Sequence, residues 1–243
     1  AGDGLRLWLR ADQGVETDAD GVVRRWRDQS GHGFDAVPPT PGNAPRRVGG
    51  RLRFDGRSTF LTIPQQVLTS PRVTLLAAVA DRGSGSHREI FSNWNGAAGN
   101  AGTSVFLGTT GDGAVRFTDA FAPAGTLSQP GRLHLLSALA GDDGAVVWQD
   151  RREIARNATP LPPRNLAPPY VVGQQGNIQG EFWNGDIVEL LVWDRALSPA
   201  ELAAAWDALA ARHPVARAPE RTDPALASLC RILYNANEFC TID

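Results

Sequence analysis

EFWNGDIVELLVWDRALSPAE, from Glu181 to Glu201, is the stretch that decides the fold predicted for this chain. Its middle, from Ile187 to Trp193, is a nearly continuous run of apolar and β-branched residues, which is typical of a strand buried in the centre of a sheet. Ser198 has the features of a helix N-cap, because a proline follows it directly and a glutamate stands three residues later. The stretch therefore predicts a long core strand, a tight exit and a short capped helix.

Short strand patterns and turns rich in glycine or aspartate recur along the chain before this stretch. Leu5–Arg10 alternates apolar and polar residues, and Val73–Ala80 is apolar almost throughout. Arg51–Asp55 and Phe60–Ile63 flank a turn and are predicted to pair as a hairpin. About a dozen such strands are expected, with one late helix. The sequence therefore predicts an all-β fold, an antiparallel two-sheet jelly-roll sandwich with a short helix after the last core strand.

The composition of the chain changes near its end, which predicts three parts. Residues 1–213 form the sandwich domain, residues 214–224 are a linker rich in proline and arginine, and residues 225–243 form a C-terminal helical tail. The tail has an apolar face at helical spacing. This face comprises Leu226, Leu229, Ile232 and Leu233.

Charge and hydropathy limit the partners that the chain can have. The net charge of −2 over 243 residues does not direct it to nucleic acid or to an anionic membrane. No apolar run approaches the roughly 18 residues of a membrane span. All 24 basic residues are arginine, which favours bidentate contacts to carboxylates. The chain starts at Ala1 without a methionine, so it is either processed or trimmed, and a removed signal would make the protein extracellular or periplasmic.

Six segments in a fixed order resemble a known family. Residues 1–214 are similar to a laminin-G-like domain of the concanavalin A-like lectin/glucanase superfamily, in its bacterial form. The tail segment LCRILYNANEFCTID resembles the end of large planctomycete-type proteins of unknown function, which often carry cytochrome c domains, although no haem-attachment motif is present here. The matching segments are Leu5–Val15, Trp26–Ala36, Leu52–Leu61, Val73–Ala80, Val146–Ile154 and Phe182–Leu202.

The resemblance to a superfamily that includes glucanases raises the question of hydrolysis. Laminarinase-like members carry Glu-x-Asp-x-x-Glu on one strand, and the nearest match here is Asn184–Glu189. The first glutamate would be the nucleophile, but Asn184 stands in its place, and an amide cannot form the glycosyl ester. We therefore expect no glycosidase activity and no catalytic residues.

The resemblance also implies a calcium ion at the rim of the sandwich. Asp28, in the loop after Trp26, and Asp186 are the candidate ligands. Calcium requires about six to eight oxygen ligands, and no Asp-x-Asp-x-Asp spacing supports these two residues. As an alternative, the Asp28 carboxylate accepts hydrogen bonds from its own turn as an Asx motif.

Two loops rich in amides are the candidate ligand-binding segments. An exposed tryptophan between amides suits a sugar ring, because its face packs on C–H groups while amides bond to hydroxyls. The alternative is that Trp94 folds back as a lid over the core. The predicted ligand-binding residues are Asn93, Trp94, Asn95, Gln175, Asn177 and Trp183.

Two main functions are compatible with these features. The first is an exported, non-catalytic module that binds a glycan or a protein surface. The second is an accessory or structural subunit that docks through its C-terminal helix into a larger assembly, for example one that contains a cytochrome. Glycoside hydrolysis is a third reading, which the asparagine at position 184 disfavours.

Overall fold

The computed structural model describes residues 3–83, 86–94, 99, 102–119, 121–127, 130–176 and 180–214. Within these residues the chain forms two packed antiparallel sheets, a two-stranded ribbon and one α-helix. The prediction of an all-β antiparallel sandwich followed by a helix is therefore confirmed. The predicted linker and C-terminal tail lie outside the described residues, apart from Pro214, and the alternative of docking through the tail lies there with them.

Fifteen strands are found in the described residues, together with a 3-10 turn at Pro41–Asn43 and helix α1 at Pro199–Arg212. The strands are β1 (Leu5–Arg10), β2 (Val15–Thr17), β3 (Val23–Trp26), β4 (Arg46–Val48), β5 (Arg51–Asp55), β6 (Leu61–Ile63), β7 (Val73–Asp81), β8 (Arg88–Ser92), β9 (Phe106–Thr109), β10 (Val115–Phe117), β11 (His134–Gly141), β12 (Gly144–Gln149), β13 (Arg152–Asn157), β14 (Tyr170–Val172) and β15 (Asn184–Trp193).

The strands divide into a large sheet and a small sheet. The large sheet runs β13-β12-β11-β7-β15-β5-β4, with β1 also paired to β15, and the small sheet runs β10-β9-β8-β14-β6. Strands β2 and β3 form the separate ribbon. Apolar side chains from both sheets pack in one cluster between them, which includes Leu75, Leu190, Phe91 and Tyr170.

Strand β15 is the central strand of the large sheet. One edge pairs with β7 from Gly185 to Trp193. The other edge pairs with β5 over its first residues and with β1 over its last residues. Nine of its ten residues are buried, as the apolar run predicted. Both edges of the strand are therefore satisfied by backbone hydrogen bonds, and both faces are covered.

The two faces of β15 pack against different partners. Ile187, Leu190 and Val192 point into the core between the sheets. Val188 and Leu191 belong to a second apolar cluster, which also contains Leu202 and Leu209 of α1. A β-bulge lies between Ile187 and Glu189, so that Val188 and Glu189 both turn toward the helix side of the sheet.

The capped start of helix α1 is present as predicted. The Ser198 hydroxyl accepts a bond from the Glu201 N–H, and the Glu201 carboxylate accepts one from the Ser198 N–H, which completes a capping box. Trp206 donates its indole N–H to the Ser137 hydroxyl at 2.7 Å and so ties the helix to β11. In the described part of the chain, no helix has the length and apolar character needed to cross a membrane.

One predicted hairpin is wrong. Arg51–Asp55 forms β5 in the large sheet, whereas the following segment forms β6 in the small sheet. The turn between them is held by the Asp55 carboxylate, which accepts backbone bonds from Arg57, Ser58 and Thr59. The turn therefore carries the chain from one sheet to the other instead of folding it back on itself.

A buried carboxylate fixes the end of α1 to the large sheet. Glu189 has no exposed surface and accepts bonds from the Trp8 indole at 2.7 Å, from Arg212 at 2.7 and 3.0 Å, and it contacts the His213 ring at 2.6 Å. Burial alone would raise the pKa of this carboxyl, but the bonds from His213, Arg212 and Trp8 lower its pKa to about 2. The ionised form is therefore the stable one in the folded chain.

Replacing Glu189 with glutamine is expected to destabilise the fold in a pH-dependent way. Because its pKa falls from 4.5 to about 2 on folding, the carboxylate contributes stability above about pH 5 that is lost as the pH falls toward 2. The shift corresponds to about 3 kcal/mol near pH 7. Urea unfolding of wild type and Glu189→Gln near pH 7 and near pH 3 measures this term.

The matched control is Glu153→Gln, because that glutamate pairs with Arg156 on the exposed strand β13. Its free energy of unfolding should change little, as is usual for surface ion pairs. An equal loss of stability in both variants would contradict the assigned role of Glu189.

Candidate ligand-binding face

The two predicted ligand-binding loops meet in the structure. Trp94 is partly buried, and its backbone N–H donates to the Ser92 hydroxyl at 2.9 Å. Gly176 packs directly on the Trp94 carbonyl, so that any Cβ at this position would collide with it. Gln175 is buried beside this contact. Asn95 and Asn177 lie outside the described residues.

Asn93 and Trp183 have structural roles, which corrects their prediction as ligand contacts. The Asn93 side chain is buried, donates to the carbonyls of Asn165 and Ala167, and accepts from the Val105 N–H at 2.8 Å. Its hydrogen bonds therefore hold three chain segments together. Trp183 is fully buried in the core between the sheets. Neither side chain is accessible to a ligand in this fold.

The two proposed calcium ligands are already engaged by the chain. The Asp28 carboxylate accepts the backbone N–H groups of Trp8, Ser30 and Phe34 as well as the Ser30 hydroxyl, which is the Asx arrangement that was the alternative. Asp186 is held bidentately by Arg53 at 2.8 and 3.1 Å. A guanidinium on a carboxylate excludes a cation from the same oxygens, so Asp186 does not fit a calcium site.

In the described part of the chain, Asp28 and Asp186 are not joined by other histidine, cysteine, aspartate or glutamate side chains into a metal site. Over the ranges that the structure describes, no group of three or more histidine, cysteine, aspartate or glutamate side chains could hold a metal ion. Calcium binding stays a prediction, and so does Asp28 as a candidate ligand, although its carboxylate already accepts hydrogen bonds from its own turn.

The glucanase-like positions on β15 are also engaged. The Asn184 amide donates to the Gly83 carbonyl at 2.9 Å, so this residue fixes the exit of β7. Asp186 is bonded to Arg53, and Glu189 to the end of α1. The three positions of the motif thus have separate structural partners, which the linear motif could not show.

The small sheet carries a group of polar residues on its outer face, which the sequence did not predict. Direct cross-strand partners share a face, and Glu89 on β8 is paired with Gly108 on β9, which is paired in turn with Arg116 on β10. Phe106, two residues before Gly108, lies on the same face by the period of two. Leu107 and Phe117, on the alternate positions, point into the core between the sheets. The outer face of the small sheet therefore carries Glu89, Arg116 and Phe106, and we call this the acidic face.

The acidic face is a connected network. Arg116 donates to the Glu89 Oε1 at 2.6 Å, and its guanidinium lies 4.9 Å from the centre of the Phe106 ring. The side-chain amide of Gln175 is oriented with its nitrogen toward the carboxylates. This nitrogen donates to Glu89 at 2.7 Å and to Glu181 at 2.6 Å. Arg116 also approaches Glu181 at 3.9 Å. The second amide-rich loop thus closes over the sheet through Gln175.

Glu89 is the most unusual group of this face. It has no exposed surface, and its Oε2 atom has no hydrogen-bond partner among the described residues, although Oε1 is bonded. A Cβ at Gly108 would collide with this oxygen, so the glycine provides the space in which the carboxyl lies flat on the sheet. Burial raises the pKa of Glu89 well above its usual range, and the Glu181 carboxylate adds to this, while Arg116 acts in the opposite direction.

The signal for this face was present in the sequence but ambiguous. Strand β8 reads REIFS, and all five of its residues are buried. A glutamate within a buried strand is rare unless it is paired. Its partners come from β10 and from the segment around Gln175, and single-sequence patterns do not reveal such distant neighbours.

Comparison with known proteins identifies a shared fold. No protein-family model matches the chain, and no curated protein matches it either. Among solved structures, the sialidase of Trypanosoma rangeli in complex with sialic acid matches 88% of this chain at a TM-score of 0.62 and 16% identity. The same sialidase with 2,3-difluorosialic acid, a covalent intermediate, matches with a TM-score of 0.62 and 17% identity. The chain spans about a third of the length of these sialidase chains, 34% in both cases.

These matches correct one prediction and leave another as it was. The expectation that the chain is not an enzyme is wrong as stated, because chains that share its fold are sialidases, which hydrolyse glycosides. The asparagine at position 184 argues only against a laminarinase-type nucleophile. Identities of this size show a shared fold alone, and the laminin-G-like resemblance stays a prediction.

Glu89→Gln is expected to stabilise the fold at alkaline pH. A carboxyl whose pKa is raised on folding takes up its proton more readily in the folded chain, so wild type loses stability as the pH rises above the ordinary value of 4.5. Glutamine keeps the shape without the buried charge, so its stability relative to wild type should be greater near pH 8 than near pH 5. Urea unfolding near pH 5 and near pH 8 measures the difference. A wild type that gains stability over the variant as the pH rises would show that the ion pair with Arg116 dominates instead.

Proposed function

We propose that this chain is a carbohydrate-binding domain that holds its ligand at the rim of the acidic face. The observation that carries the proposal is the buried layer formed by Glu89 and Gln175, which fixes the partly exposed groups Arg116 and Glu181 above it. Sugar sites combine few well-placed polar groups with an aromatic surface. Trp94 supplies that surface beside Gly176, where the two loops meet.

The chemistry of this rim suits hydroxyl groups. A carboxylate accepts hydrogen bonds from sugar hydroxyls, and a guanidinium donates to hydroxyl and ring oxygens. Arg116 and Glu181 retain 14% and 16% of their side-chain exposure, so a ligand can reach both. Because the buried groups hold the rim side chains in one geometry, little conformational entropy is lost when a ligand binds.

The fold comparison supports this class of ligand. A solved sialidase in complex with sialic acid shares this fold over about a third of its own length, and the match covers 88% of this chain. The support is for the class, since the identity is 16%. Sialylated glycans are therefore the first ligands to examine, with neutral oligosaccharides beside them.

Titration calorimetry with sialyllactose, lactose and a β-glucan oligosaccharide tests the proposal. The wild-type chain is expected to bind at least one of these saturably. Trp94→Ala removes the aromatic surface and Glu181→Gln removes the accessible carboxylate, and each should weaken binding by about tenfold or more, which is the loss of one good contact.

Glu153→Gln is the charge-matched control, because its carboxylate lies on the edge strand β13 of the other sheet. Its affinity should equal that of wild type. Saturable binding that neither Trp94→Ala nor Glu181→Gln weakens, with unfolding temperatures unchanged, would rule out the acidic face as the site. The same preparation is incubated with sialyllactose, and release of free sialic acid would add hydrolysis to the function.

A further inference from the structure

A second charged surface lies on the outer face of the large sheet, away from helix α1. Cross-strand pairing places Arg46 on β4 beside Arg53 on β5, and Arg53 beside Asp186 on β15. Arg51 lies two residues before Arg53 and so on the same face. Arg82 follows β7 and reaches the same carboxylate. We call Arg46, Arg51, Arg53 and Arg82 the arginine row.

Three guanidinium groups converge on the one buried carboxylate. Asp186 is 2% exposed and bonded bidentately by Arg53. Arg51 and Arg82 approach the same Oδ2 atom at 3.7 and 3.8 Å, which is too far for a hydrogen bond. Asp186 thus neutralises one arginine and orients the other two without using their N–H donors.

Arg51 and Arg82 are partly exposed to solvent. Their side chains are 38% and 44% exposed, and neither donates a side-chain hydrogen bond to any described residue. The Arg46 guanidinium donates to the Asp20 carbonyl, which carries no charge. The arginine row therefore has bonding capacity that the described residues leave unused.

Nearby acidic groups do not cancel this charge. Asp55 lies on the same face of β5, and its carboxylate accepts five bonds from its own turn. Burial would raise the pKa of this carboxyl, but those bonds hold it below the usual range, so Asp55 contributes one negative charge. Asp81 is buried against Arg88. It lies on the opposite face of the large sheet, because Asp186 is paired with Ala80, the residue before it. Four arginines thus face the two carboxylates of Asp186 and Asp55. Since the whole chain carries a net charge of −2, this positive surplus is a local feature.

We propose that the arginine row binds the carboxylate groups of an acidic polysaccharide. A guanidinium fork matches a carboxylate bidentately, and Arg53 already binds Asp186 in this way at the same surface. The backbone positions of these residues are about 4.8 Å apart across strands and about 6.6 Å apart along β5. Their guanidinium groups gather around Asp186 and form a cluster of cations on a flat sheet, which an extended chain with repeated carboxylates can contact. The row is separate from the acidic face, so this inference does not rest on the function proposed there.

A nucleic acid fits this surface less well. Binding of single strands relies on aromatic side chains on which bases stack, and the arginine row contains none. Recognition of a duplex places a helix or a β-ribbon in a groove, whereas the row lies on the face of a sheet. A flat row of guanidinium groups fits an extended chain that carries one carboxylate on each sugar.

The test uses the triple variant Arg46→Gln, Arg51→Gln, Arg82→Gln. Arg53 is kept so that the buried Asp186 retains its bidentate partner and the fold is preserved. The control removes the same charge elsewhere, with Arg24→Gln, Arg152→Gln and Arg156→Gln, all exposed. Binding to polygalacturonate and to polysialic acid, two carboxylate polymers with different sugars, is measured at low and high ionic strength, with neutral dextran beside them.

Wild type is expected to bind at least one carboxylate polymer and not dextran, with an affinity that falls steeply as salt rises. The triple variant should bind about tenfold or more weakly and with a shallower salt dependence, while the control stays within about twofold. Trp94→Ala should leave the binding of polygalacturonate unchanged, and this polymer separates the arginine row from the acidic face because it contains no sialic acid. The proposal is overturned if wild type binds neither polymer, if the two triple variants lose affinity equally, or if a DNA duplex binds more tightly than both polymers.

Discussion

The hydrogen bonding of β15 on both of its edges is the constraint on which the rest of the structure depends. A strand paired with β7 on one side and with β5 and β1 on the other cannot move without breaking three ladders. Its inward residues hold the core between the sheets, and its outward residues hold helix α1. The stability of both layers is therefore linked to one stretch, because a buried backbone group without a partner is costly.

The bulge near Val188 determines what the large sheet presents outward. In a regular strand Asp186 and Glu189 would point to opposite faces, because their separation is odd. The extra residue brings both carboxylates to the outer face. Both carboxylates are paired with cationic side chains, but the surroundings of the two pairs differ. Glu189 is enclosed by the end of α1, whereas Asp186 is met by arginines that remain partly exposed.

The fold could be predicted from sequence because its signals are local. The apolar run and the capping box lie within twenty-one residues. The first predicts which strand is central, and the second predicts where the helix starts. The pairing of β5 and β6 was predicted wrongly because a short turn with two strand-like flanks does not reveal that the flanks join different sheets. Sheet membership is decided by partners far along the chain, and no local pattern contains them.

The candidate sites were predictable only in part, for the same reason. Composition marked the loops at Trp94 and Gln175, and the structure brings those loops together. Composition could not separate the partly buried Trp94 from the fully buried Asn93 beside it, whose amide joins three segments. Glu89 was hidden because its partner Arg116 belongs to another strand.

The two outer surfaces differ in how their charges are buried, and this difference favours separate ligand chemistries. On the acidic face the carboxyl of Glu89 lies at the bottom, and solvent meets groups that both donate and accept. On the arginine row the buried charge is again a carboxylate, but the exposed layer consists only of donors. Neutral hydroxyls need donors and acceptors together, whereas a carboxylate needs donors alone. A single sandwich can therefore present complementary surfaces to an uncharged and to an acidic part of a carbohydrate without sharing a residue between them.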